Sequence, residues 1–262
     1  MRFAKYWVKG FAADSELFCW GWSDESPAAA EALGRQRAQR LAEMLDRNRR
    51  PDSYTYGDHP IREAVTAEWK AADGGVLALL TVNIYGADIL NTSRVMFVDV
   101  DITNPKKRDK EEAAALGKLD GLLKSGGFGA RVYRTAGGLR YILTLADCPP
   151  KSPATATLMG SLGADPLYVK LCHLQDCYRA RLTPKPWRCG FPSPAVRFPY
   201  ASAAVEADMA NWREKYLKIS ADYAVCEFLD ARGRLDAIPA VVSQIAEYHD
   251  RVTKAQSGLE LA

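Results

Sequence analysis

The chain has 262 residues, with 35 Lys and Arg against 32 Asp and Glu and a formal net charge of +3. That length allows one large or two small domains, and a hydrophobic content of 48% supports a real core, while the near balance of charge argues by itself for no partner. No segment reaches the roughly 18 uninterrupted apolar residues of a membrane span, and charges break up the opening Met1-Arg2-Phe3-Ala4-Lys5-Tyr6-Trp7, so a soluble, cytoplasmic protein with no membrane partner is expected.

Residues 3–11 and 16–22 read as two short strands, with Trp20 and Trp22 alternating around Gly21. Ser26-Pro27 then opens a helix, Ser as N-cap and Pro in the first turn, running to about Arg49. A Tyr-, Asp- and Gly-rich loop follows over 52–60. A short helix is expected over 61–72, stopped by Asp73-Gly74-Gly75, with strands at 76–82 and 94–102 and an ambiguous stretch at 83–92.

A basic loop at 104–110 leads into a helix over 111–124, stopped by Ser125-Gly126-Gly127. Two strand-like runs, 129–136 and 139–145, flank Gly137-Gly138 and give the strongest hairpin signal in the chain. A two-residue turn at those glycines would place Thr135 beside Arg140. Short helices are expected within 149–163 and over 165–174, a strand over 177–183, and irregular Pro- and Arg-rich chain over 184–199. Two amphipathic helices close the sequence, marked by Met209, Trp212, Tyr216, Ile219 and Tyr223 and by Ile238, Val241, Val242, Ile245, Tyr248 and Val252.

The chemistry concentrates in the middle. Phe97-Val98-Asp99-Val100-Asp101 is an apolar strand in which Asp99 and Asp101 share a face while Val98 and Val100 anchor the other. Two carboxylates so placed suit a shared divalent metal; they equally suit a solvated strand end. Arg131, Arg134, Arg140, Arg179, Arg181, Lys185, Arg188 and Arg197 crowd the same region, a local basic surface that favours phosphates. Trp187 stands among cations, a setting that suits stacking on a base and also suits a core anchor. Cys172, His173, Cys177 and Cys189 lie close enough to raise zinc, but without paired C-x2-C knuckles buried thiols are the plainer reading.

The order of these motifs resembles the archaeo-eukaryotic primase and primase-polymerase superfamily. Phe97 to Asp101 is similar to its Asp-x-Asp strand. Tyr133-Arg134-Thr135-Ala136-Gly137-Gly138-Leu139-Arg140 looks like its second motif, with Arg140 where the family has His. Leu174-Gln175-Asp176 resembles the third, and Arg179 to Lys185 the basic strand after it.

The resemblance spans about residues 76–190. It implies an α+β fold with a central, mostly antiparallel, RRM-like sheet, divided as 1–75, 76–200 and 201–262. It further implies a metal-dependent nucleotidyltransferase acting on a nucleoside triphosphate and a DNA or RNA strand, in replication or repair. Asp99, Asp101 and Asp176 would form the catalytic set, with Mg or Mn on Asp99 and Asp101. Thr135, Arg140, Arg179, Arg181, Lys185 and Arg188 would bind nucleotide or phosphate. A catalytically degenerate nucleic-acid or nucleotide-binding protein of the same fold, and a metal-dependent phosphodiesterase, are the alternatives.

Overall fold

The computed structural model describes residues 1–47, 59–102 and 104–262. The loop expected over 52–60 and the end of the first helix near residue 49 fall largely outside the described residues. The chain divides into two compact units, residues 2–63 and residues 64–262 with Met1. The division expected from the sequence has its first boundary at 75.

In the first unit β1 (Tyr6–Phe11) and β2 (Phe18–Ser23) form an antiparallel hairpin, followed by α1 (Pro27–Asp46). Ser26 caps α1 as expected, its Oγ accepting from the Ala29 amide at 3.1 Å. The helix lies directly on the hairpin backbone, because a Cβ on Gly10 would come within 2.0 Å of Arg35 N and one on Gly21 within 1.9 Å of Ala30 O. The opposite hairpin face carries the pairs Trp7–Trp22, Lys9–Trp20 and Phe11–Phe18.

In the second unit the elements run β3 (Ala64–Lys70), β4 (Val76–Val82), β5 (Asp88–Thr92), β6 (Phe97–Asp101), α2 (Arg108–Gly126), β7 (Gly129–Thr135) and β8 (Gly138–Leu143). They continue with α3 (Pro153–Ser161), α4 (Pro166–Gln175), β9 (Tyr178–Arg181), α5 (Ala203–Ser220), β10 (Cys226–Gly233) and α6 (Ala240–Thr253). The protein is mixed α+β. In place of one central sheet the second unit has two four-stranded sheets, ordered β3-β4-β5-β9 and β10-β7-β8-β6, whose ladders are all antiparallel.

Three local expectations are corrected. The stretch expected as a helix over 61–72 is instead an isolated bridge at Ile61 followed by strand β3. Its Ala, Glu and Lys favour a helix, but Val65 and Thr66 are β-branched and the Asp73-Gly74-Gly75 turn folds the segment onto β4. Gly74 sits at φ +80°, and Asp73 Oδ1 accepts from the Gly75 amide at 2.9 Å, so these residues close a hairpin and do not end a helix. Two register shifts, at Val65/Ala67 and Trp69/Lys70, blur the alternation that would have marked the strand.

Strand β10, which the sequence reading passed over, lies between the two closing helices and pairs with β7. The segment 201–262 thus supplies a strand to the same sheet as β6 and β8.

The third correction is register. Thr135 pairs with Gly138, Arg134 with Leu139 and Tyr133 with Arg140, so the turn residues are Ala136 and Gly137, and Thr135 is not beside Arg140. Gly138 is already inside β8: a Cβ there would stand 2.1 Å from Val100 O, and its φ is +155°. Only glycine lets β6 approach the hairpin this closely.

Phe97, Val98, Ala130, Val132, Tyr141, Ile142 and Leu143 are fully buried in the core around this sheet. Val98 and Val100 do anchor β6, as the alternation required. β6 and β9 share no ladder, yet they run side by side. The Tyr168 hydroxyl lies 3.4 Å from the Phe97 carbonyl and donates to the Arg179 carbonyl at 3.0 Å, and Arg140 spans Asp99 and the Arg181 carbonyl. Residues 97 and 99 are therefore abreast of 179 and 181, and the two strands point the same way.

Candidate functional site

Asp99 faces Arg140 directly across the β6–β8 ladder. Arg140 Nε donates to Asp99 Oδ1 at 2.7 Å and Nη2 to Oδ2 at 3.0 Å, a bidentate pair in which the guanidinium is only 2% exposed and the carboxylate 32%. The remaining nitrogen, Nη1, donates to the Arg181 carbonyl at 3.0 Å and lies 3.4 Å from His249 Nε2. Burial opposes the Arg140 charge, but the Asp99 carboxylate outweighs it and holds the guanidinium firmly protonated. Each guanidinium nitrogen of Arg140 is thus engaged and enclosed, and what it does is fix Asp99.

Behind Arg140 a polar chain continues through the core. His249 Nδ1 lies 3.1 Å from Asp250 Oδ1, which also accepts from the Tyr133 hydroxyl at 2.6 Å, and Arg131 closes the chain on Asp250 Oδ2. Burial pushes the His249 imidazole down to about 4, helped by the positive Arg140 and opposed by the hydrogen bond to Asp250. The imidazole is neutral, with Nδ1–H donating to Asp250 and Nε2 free to accept from Arg140.

Asp101, two residues beyond Asp99, has a different environment. It is exposed and pairs across the ladder with Gly138. Its carboxyl is raised by partial desolvation first, then by the negative charges of Asp165 and Asp99, with Lys185 and Arg181 pulling the other way. Asp165 reaches this corner as the N-cap of α4. Its amide donates to the Asp99 carbonyl at 3.1 Å, while its carboxylate accepts from the Leu167 and Tyr168 amides at 3.2 and 3.1 Å.

Three cations complete the corner. Arg181 is pushed down to about 10 by burial and by the charges of Arg140 and Arg188, with Asp99 opposing, and its buried Nε has no partner among the described residues. Lys185 is lowered by burial and by repulsion from Arg181 and Arg188, against the pull of Asp101. Arg188 lies on a 3-10 turn, Pro186–Cys189, and its Nη2 comes within 3.7 Å of where a Cβ on Gly137 would sit, which places it over the hairpin tip. Next to it Trp187 is 49% exposed, edge-on to Tyr85 at 5.2 Å, with Lys185 Nζ 5.5 Å from the indole centroid. Arg181 and Lys185, each held down in part by neighbouring cations, stand with Arg188 next to a single exposed carboxylate and form a site with surplus positive charge.

The remaining expected site residues lie elsewhere. Asp176 caps the C-terminal end of α4 at φ +54° and pairs with the N-terminal ammonium of Met1 at 3.4 Å. It borders a groove with Ser93 and Arg94, at the opposite end of β6 from Asp101 and so roughly 13 Å or more away at about 3.3 Å per strand residue. Thr135 ends β7, where its Oγ1 accepts from the Gly137 amide at 3.3 Å and its carbonyl accepts from Arg108 at 2.7 Å. Arg179 shares a face of β9 with Arg181 but sits abreast of Phe97, with Gln175 Oε1 at 3.5 Å.

A protein-held metal fits poorly. Both Asp99 oxygens are occupied by Arg140, both Asp165 oxygens cap α4, and among the described residues no three Cys, His, Asp or Glu side chains converge as a ligand set. Cys172, His173, Cys177 and Cys189 likewise form no such group, and the cysteines are free thiols. Of the two strand carboxylates, Asp101 is the one that no arginine pairs with among the described residues.

Sequence reasoning missed Asp165, Tyr168 and His249. Ala164-Asp165-Pro166 carries the signature of a helix start, yet nothing local says that this start abuts β6. A scan against protein-family models finds no match to this chain, and searches of curated proteins and of solved structures find no similar protein.

Proposed function

We propose that this protein binds a nucleoside triphosphate or the phosphate-bearing end of a nucleic-acid strand on the corner formed by Asp101, Arg181, Lys185 and Arg188. The observation that carries the reading is the convergence of three mutually repelling cations at the tip of the β7–β8 hairpin, next to the exposed indole of Trp187. Phosphate oxygens would neutralise the cations, and the indole offers a face for the base. In the βαββ run β6-α2-β7-β8, β8 lies between β6 and β7, as in the first three strands of an RRM module, and this part supports the primase-polymerase type of fold, although β10 joins the sheet beside β7 where an RRM adds its fourth strand beside the first. The fixed Asp99–Arg140 pair favours binding without chemistry, a catalytically degenerate relative of that type.

Metal-dependent nucleotidyl transfer is the second reading, favoured by Asp101. Mg2+ is commonly held by one or two carboxylates together with substrate phosphates, so an ion arriving with its nucleotide needs only Asp101 from the protein. Such an ion would stabilise charge developing as a strand hydroxyl attacks the α-phosphate and pyrophosphate leaves. Here Arg181 and Lys185 would hold the phosphates.

Calorimetric titration of a nucleoside triphosphate with manganese separates the outcomes. Binding by the wild type that weakens at least about tenfold in Lys185→Ala/Arg188→Ala supports the site; no binding by the wild type removes it. Nucleotide incorporation that is lost in Asp101→Asn would establish the second reading, and binding without incorporation the first.

A further inference from the structure

The N-terminal unit carries its own recess of about 310 Å3, lined by Trp7, Trp20, Trp22, Arg37, His59 and Arg62 among others. This is the low end of the range of about 300 to 1,000 Å3 for small-ligand sites. Its floor is the hairpin face turned away from α1. Trp7 and Trp22 meet at 5.6 Å between ring centroids, and His59 lies edge-on to Trp7 at 6.4 Å and tilted against Trp22 at 6.1 Å. Three cations cover the rings: Arg37 stands 4.7 Å from the Trp22 centroid, Arg62 5.1 Å from Trp20, and Lys9 5.5 Å from Trp20.

Two buried donors in this wall, Trp7 Nε1 and Arg37 Nε, have no hydrogen-bond partner among the described residues. Buried N–H groups left unpaired cost stability, and both call for an acceptor from a ligand. The chemistry narrows what that ligand is. Aromatic cages for quaternary ammonium leave their ring faces open to a cation, whereas here cations already cover the rings and would repel another. A planar group with carbonyl acceptors, joined to a negative charge, meets every feature: its charge draws the guanidiniums aside and onto itself, the indoles so uncovered stack it, and the orphan donors bind its edge.

We infer that the Trp7–Trp22–Arg37 recess of residues 2–63 is a base-binding site for single-stranded nucleic acid, with an unpaired base among the indoles and its phosphate on the arginines. Such stacking is sequence-tolerant because every base has a π-face, and the phosphate contact makes the affinity fall with salt. The inference does not rest on the Asp101 corner.

The test is fluorescence anisotropy of a labelled short oligothymidylate with the full chain. Wild type should bind, with affinity falling as salt rises, and Trp22→Leu and Arg37→Gln should each weaken binding at least about tenfold. Replacing thymines by abasic sites should weaken wild-type binding similarly. No binding by the wild type, equal binding by both variants, or indifference to base removal would each overturn the assignment. Circular dichroism checks folding of the variants; if Trp22→Leu is unfolded, Arg37→Gln, at a half-buried position of α1, decides. Manganese–nucleotide calorimetry on Arg37→Gln keeps this outcome separate from that of the Asp101 corner, since it should be unchanged.

Discussion

Asp99 and Asp101 sit on one face of one strand, two residues apart, and the structure gives them opposite environments. Asp99 ends a largely buried chain of Arg140, His249, Asp250, Tyr133 and Arg131, each joined to the next by a hydrogen bond. Asp101 opens on a corner where Arg181, Lys185 and Arg188 outnumber the acids they could pair with. The difference teaches that spacing alone does not make two carboxylates a shared site. What opposes each of them on the neighbouring strand decides, and here it is Arg140 for one and a glycine for the other.

Breaking the buried side should produce the largest effect. Arg140→Ala leaves Asp99 without its partner and opens a void in the core, and should destabilise the fold by about 3–5 kcal/mol. Urea unfolding would show it, and a loss below about 1 kcal/mol would mean that the pair is solvated. In a double-mutant cycle Asp99→Asn and Arg140→Leu should together cost less than the sum of the single changes.

The next effect is set by pH. Folded His249 takes up its proton near 4, the unfolded side chain near its ordinary 6.5, so between these values the unfolded state binds a proton that the folded state refuses. Stability should therefore fall as pH drops through that window, by up to about 3 kcal/mol, with no further loss from this group below pH 4. Asp250, held low by His249, Tyr133 and Arg131 against its burial, adds its own loss only in still stronger acid. Thermal melts from pH 7 to 4 should be markedly flatter for His249→Asn than for the wild type.

On the exposed side the contrast reverses. Lys185→Ala/Arg188→Ala should leave unfolding free energy within about 0.5 kcal/mol, since among the described residues neither holds an ion pair to lose, or raise it slightly by relieving repulsion. A loss of several kcal/mol would make this corner structural. Smallest is Thr135→Ala, which removes one 3.3 Å contact at the hairpin turn and should change neither stability by more than about 0.5 kcal/mol nor nucleotide binding measurably. A large binding defect there would restore Thr135 to the site.

The pattern of what was legible follows from range. Ser26-Pro27 and the Val98/Val100 alternation carry their structural reasons within a few residues, and α1 starts where it is read while β6 forms within the run read as strand, over 97–101 of 94–102. Asp73-Gly74-Gly75 is equally local but ambiguous, because the same residues close a hairpin or stop a helix, and only pairing with β4 chooses. Gly137-Gly138 announced a hairpin correctly, yet its register depends on β6, whose backbone needs the missing Cβ of Gly138. The basic stretch from Arg179 to Arg188 could be seen as a cluster; that Arg140 would turn inward, and that Asp176 would lie at the far end of β6, depended on contacts across dozens of residues.

The junction between the two large sheets has a consequence of its own. Among the described residues, the hydrogen bonds that link the facing edges of β6 and β9 are side-chain ones, from the Tyr168 hydroxyl and the Arg140 guanidinium, where a ladder would repeat a bond along the whole strand. A ladder parts cooperatively, but a seam of two rivets yields one rivet at a time. Losing Tyr168 alone would let the edges breathe near Phe97 while Arg140 still holds them at Asp99, so hydrogen exchange in Tyr168→Phe should quicken from the Phe97 end first and give the seam a direction in which it unzips.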